Sequence, residues 1–146
     1  MVRYARAVVR CGWNRLVTRS DFPHDSLQPI IPRSDKMPQV LLNAAGPLPL
    51  SVKFAAESDD PVTFFVAGSC WSQTPNVDIG FAVILDGQQI GNATIFSNGS
   101  ATHRAVVPQF IPWQFDGPGN HTLELVALPG ATVSDGNDRF TVVVVD

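Results

Sequence analysis

The stretch Ile79-Gly80-Phe81-Ala82-Val83-Ile84-Leu85-Asp86-Gly87-Gln88-Gln89-Ile90 reads as a β-hairpin. Asp-Gly supplies the two positive backbone φ angles that a two-residue hairpin turn requires, and alternating apolar residues flank it. The same two-residue step runs outward from this hairpin. Leu50, Val52 and Phe54 alternate with Ser51 and Lys53, and Leu123, Leu125 and Ala127 alternate with Thr122, Glu124 and Val126. This period places successive side chains on opposite faces of a strand. Val62 to Trp71 is apolar on both parities, as a central strand would be.

Turn signals at Asn98-Gly99, Pro118-Gly119 and Pro129-Gly130 break the pattern into eight or nine strands. That count and spacing predict an all-β, antiparallel two-sheet sandwich, jelly-roll-like. Composition agrees, because 11 Gly and 12 Pro among 146 residues favour turns over helix.

Charge divides the chain. Residues 1–36 hold seven of the ten basic residues and three of the thirteen acidic ones, leaving the remainder at a net of −7. An acidic body argues against nucleic-acid binding through the β domain, since phosphate recognition relies on clustered Lys and Arg. The expected organisation is a basic, proline-containing arm or non-native leader over 1–36 and a sandwich domain over 37–146. Val2, Ala5, Val9, Trp13 and Leu16 would share one face of a helix flanked by arginines. Such a segment suits an organellar transit peptide, an anionic membrane surface or a nucleic acid, and the whole stretch could instead be an arm packed on a neighbouring subunit. Equally, Met37 reads as the natural start. No apolar run is long enough for a transmembrane helix, and cellular location stays open.

The order Gly68-Ser69-Cys70-Trp71-Ser72, Leu85-Asp86-Gly87, Pro118-Gly119-Asn120-His121-Thr122-Leu123-Glu124-Leu125 and Asp135-Gly136-Asn137-Asp138, ending in a Val-rich strand, carries a resemblance. Over residues 50–146 it resembles small jelly-roll or immunoglobulin-like modules of bacterial and phage proteins, some of them similar to the trimeric tumour necrosis factor-like sandwich. The resemblance implies a surface or tail component that binds or assembles, and it implies no catalytic residue.

Candidate sites follow from departures from alternation. Pro108-Gln109-Phe110-Ile111-Pro112-Trp113-Gln114-Phe115 sets aromatics between prolines, where ladder pairing is hard. Phe110, Trp113, Phe115 and Trp71 are the expected ligand- or partner-binding residues, with a carbohydrate stacked on Trp113 as one reading. Val143 and Val145 oppose Phe140, Val142 and Val144 on the last strand, so a second apolar face needs a cover. They are the expected interface of a homo-oligomer.

Chemistry is sparse. Ser69, His103 and Asp78 can be drawn as a nucleophilic triad, but no Gly-x-Ser-x-Gly elbow supports it, and His103 reads as a mid-strand structural histidine. An uncharacterised hydrolase-like enzyme around His103 remains an alternative to the non-enzymatic reading. Zinc would want His or Cys pairs at short spacing, and none occurs. Asp135, Asn137 and Asp138 offer clustered oxygens for calcium, while equally being the residues that shape a turn. No cofactor is expected. Cys70 reads as a small buried hydrophobe.

Overall fold

A computed structural model describes residues 37–145; the basic arm and its alternatives lie outside the described residues. Nine strands run in order: β1 (Gln39–Ala45), β2 (Leu50–Ala56), β3 (Pro61–Cys70), β4 (Val77–Leu85), β5 (Gln88–Ser97), β6 (Arg104–Ala105), β7 (Gln109–Gln114), β8 (Gly119–Ala127) and β9 (Arg139–Val145). One sheet has the order β1-β9-β3, with β6 and β7 both pairing the far edge of β3; the other has the order β2-β8-β4-β5. All pairings are antiparallel. Apart from the β4–β5 hairpin and the step from β6 to β7, each strand crosses to the opposite sheet. This is jelly-roll connectivity, as the alternation predicts.

The Asp86-Gly87 turn forms as read, with φ of 49° and 82°. Strand parity then sorts the core. Val62, Phe64 and Val66 of β3, Phe140 and Val142 of β9, and Ile79, Phe81, Val83 and Leu85 of β4 all point between the sheets. Phe140 lies at the centre, with Phe81 packed edge-on at 5.3 Å between centroids. Gly68 makes room for it: a Cβ there would lie 2.5 Å from the Phe140 ring. Gly80 is tighter still, since a Cβ would lie 2.0 Å from the backbone oxygen of Ala93 on β5.

Two expectations need correction. Prolines do not keep 108–115 out of the ladder: β7 pairs β3 from Val66↔Gln109 to Pro61↔Gln114, with Pro112 opposite Thr63. An edge strand tolerates proline because a missing N–H on its outer side breaks no bond. His103 is not mid-strand, because β6 is two residues long. Ala101 adopts a φ of 52°, which ends extended geometry just before it.

Cys70 is fully buried, and burial, with the nearby Asp138 carboxylate adding to it, pushes its thiol up to about 12. It is an inert hydrophobe.

Candidate functional site

The Asp86-Gly87 turn and the corner between β7 and β8 enclose a groove of about 640 Å³, lined by Trp113, Gln114, Asp116, Gln88, Asp86 and His121 among others. Topology builds it. Leu85 pairs Leu123, so the turn residue Asp86 lands beside Thr122 and His121, 35 residues away in sequence. Asp86 accepts the Thr122 amide at 2.8 Å and pairs with His121 Nδ1 at 2.6 Å. Those bonds, His121 foremost, hold the Asp86 carboxyl below its ordinary value of 3.8.

His121 is clamped between rings, with Phe115 at 4.4 Å and Phe54 at 5.8 Å. With Nδ1–H donated to Asp86, Nε2 of the neutral ring is an acceptor. It is buried and has no partner. Burying an acceptor without a hydrogen bond is costly, and the Asp86 bond and the two flanking rings hold the imidazole in that position. A depression of about 250 Å³ next to it is floored by Phe54, Val62, Phe115 and Val144 and offers Glu57 as its one charged group.

Asp86 gives the first expected outcome. Because its folded pKa lies below the unfolded value, the bond to His121 stabilises fully above about pH 4 and is lost as pH falls through the folded pKa. Thermal melts from pH 7 downward should show a fall in this window that is smaller in Asp86→Asn. Asn-Gly forms the same turn, so that variant isolates the charge.

The four aromatic candidates separate. Trp113 is half-buried on the groove wall. Phe115, which the sequence leaves open between a binding aromatic and one that caps the end of the sandwich, is 6% exposed and packs edge-on against Phe54 and Phe64 in the core. The ladder explains this, since Ile111, Trp113 and Phe115 share the inward parity while Phe110, Pro112 and Gln114 point outward. Phe110 is 69% exposed and lies 5.2 Å from Phe65 on the outer face. Trp71 stands at the other end of β3, about 30 Å along the strand from the Val62 that pairs Trp113. It bridges to Val133, and its ring lies 6.0 Å from His103.

At that far end the Asp135–Asp138 loop meets His103. Asp138 is fully buried and accepts three hydrogen bonds, from Ser69 Oγ at 2.7 Å, His103 Nδ1 at 2.8 Å and the Asp135 amide at 2.9 Å. The bond to Asp138, ahead of the attraction of Asp138 and Asp135, raises the His103 pKa. The triad drawn through Asp78 is replaced by Asp138, with the carboxylate in the middle. Ser69 gives its proton to Asp138 and not to the imidazole, which differs from the order that activates a serine nucleophile. Asn137 donates its amide to Asp135 Oδ1 at 2.8 Å, which is turn chemistry.

Val143 and Val145 are half-buried on the outer face of the β1-β9-β3-β7 sheet. Val143 pairs Val40 and Phe65, and Phe65 pairs Phe110, so one apolar row crosses four strands.

No family model matches this chain, and no curated protein matches it. Solved structures similar to it include a family 35 carbohydrate binding module from Clostridium thermocellum, 7% identical with a TM-score of 0.43, over 75% of this chain and 98% of that one. Another is the CBM36-1 domain of a multidomain xylanase from the hindgut metagenome of Trinervitermes trinervoides, 16% identical with a TM-score of 0.33, over 70% of this chain and 73% of that one. A third is the carbohydrate-binding module CBM36 in complex with calcium and xylotriose, 8% identical with a TM-score of 0.34, over 75% and 98%.

Proposed function

We propose that this domain is a non-catalytic binding module that takes a carbohydrate in the groove beside Trp113. The observation that carries the reading is a half-buried indole on the wall of a groove that is also lined by Gln88, Gln114, Asp86 and Asp116. A pyranose has an apolar C–H face that stacks on an aromatic ring and a rim of hydroxyls that donates to carboxylates. A glycan array identifies the sugar, and calorimetry with that sugar gives the affinity. Trp113→Ala should weaken binding about 30-fold or more, as truncating a buried anchor aromatic does. Phe110→Ala, outside the groove, should leave it unchanged. An array without signal, or equal binding by Trp113→Ala, counts against the reading.

A second observation favours a second partner, another copy of this chain. Three rows of the outer sheet face carry no charged side chain: Val40-Val143-Phe65-Phe110, Val145-Thr63-Pro112 and Asn43-Thr141-Ala67. The outer face of the other sheet includes Lys53 and Glu124. Acidic bodies repel, so two copies meet at least cost through these uncharged rows, to which Val143 and Val145 belong and which stop short of the exposed Arg139 on the same face. Light scattering should give a mass above one chain at micromolar concentration, falling to one chain in Phe110→Asp. A one-chain mass for the unaltered protein defeats this assignment.

A further inference from the structure

We infer that His103 and Asp135 form a surface site for a borderline divalent transition ion such as zinc, with Nε2 and Oδ2 as the ligand atoms and Asp138 as the buried group that orients the imidazole. His103, Asp135 and Asp138 present ligand atoms within 4.8 Å of one another. Asp138 Oδ1 accepts the hydrogen bond from Nδ1–H, so in the neutral imidazole the lone pair is at Nε2, turned outward. Asp135 is held as firmly: its Oδ1 accepts the Asn137 amide, and its own amide donates to Asp138 Oδ2. Its second oxygen, Oδ2, stands 3.6 Å from Nε2.

With the ring neutral, two acceptors stand face to face with no N–H or O–H between them, so the pair calls for a cation, and a metal ion would compete there with a proton on Nε2. Zinc bonds of about 2.0–2.2 Å at a tetrahedral angle separate two ligands by roughly 3.4 Å, close to the spacing here. A hydrogen bond between the same atoms would need about 2.9 Å. The Asp138–His103 pair also reproduces the carboxylate–histidine arrangement that fixes the tautomer and raises the basicity of metal-binding imidazoles. Both ligand side chains are accessible, at 39% and 41% exposure, so the remaining coordination positions belong to water or to a ligand from solution. The nitrogen donor and low ligand count favour zinc over calcium, which requires six or more oxygens. The residues are remote from the Trp113 groove, so the site stands independently of the carbohydrate reading.

The test is a titration of the full chain with zinc chloride, followed by long-range proton–nitrogen NMR of the histidine rings. Zinc should shift Nε2 of His103 saturably below about 1 mM while Nδ1 keeps its proton. His103→Gln and Asp135→Asn should abolish the effect in chains that remain folded, with the melting temperature lowered by no more than the few degrees expected for loss of one hydrogen bond in the loop. Asp138→Asn presents an amide N–H to Nδ1, moves the ring proton to Nε2 and should weaken binding 10–100-fold, the usual range for loss of an orienting partner. An unshifted His103 up to about 1 mM zinc, a shift confined to another histidine, or full binding by Asp135→Asn overturns the assignment.

Discussion

Phe140→Ala should cost about 3–5 kcal/mol, enough to consume much of the stability of a domain this size. The ring is completely buried, and the sequence around it is organised to receive it. Gly46 and Gly68 carry no Cβ where one would lie 2.6 Å and 2.5 Å from the ring, and Phe81 meets it edge-on. Glycine backbones cannot collapse into the space that alanine leaves, so a cavity persists and its cost adds to the lost transfer energy. Urea unfolding should show the midpoint falling without a change in slope, and the melting temperature should drop by more than about 12 °C. A shift under about 1 kcal/mol would mean that the sheets close over the gap.

Asp138→Ala should cost about 3 kcal/mol for a different reason. Three donors converge on this buried carboxylate from β3, from the loop before β6 and from the loop before β9. Alanine leaves the Ser69 hydroxyl and the Asp135 amide without their buried acceptor. The side chain adds no apolar area in compensation. Hydrogen exchange should rise first in the Asp135–Asp138 loop, where the Asp138 amide bonds back to the Asp135 carbonyl. Comparison of Asp138→Ala with Ser69→Ala separates the carboxylate from one of its donors, and the serine variant should lose about 1 kcal/mol.

What was legible in the sequence is what local chemistry dictates. The Asp86-Gly87 turn, the alternation of β2 and β8 and the opposed faces of β9 each follow from residues within one element. β7 was misread because the cost of a proline depends on whether its strand lies at an edge, which is a property of the sheet. Whether Phe115 binds or caps is not legible, because a run of aromatics does not announce its parity until the register with β3 is known. The groove was missed for a related reason. Asp86 and His121 are both ordinary turn and strand residues in sequence, and only the pairing of β4 with β8 makes them partners. The same holds for His103 and Asp138, joined across 35 residues by the meeting of two loops. The cluster Asp135, Asn137 and Asp138 is visible in the sequence, but nothing local shows that Asp138 turns inward.

The strand order has a consequence for how this chain acquires its structure. β9 lies between β1 and β3, and β8 lies between β2 and β4, so each sheet is bridged by an element made after most of its neighbours. During synthesis β1 and β2 leave the ribosome with no partner to pair, and they wait for strands some seventy residues or more downstream. Such non-local pairing puts loop closure before reward, and jelly rolls of this kind fold in milliseconds to seconds. The β4–β5 hairpin is the one local unit that can form early, and it is where a nucleus would begin. Until β8 and β9 arrive, the two early strands are open edges, which is the interval in which this protein is most exposed to aggregation.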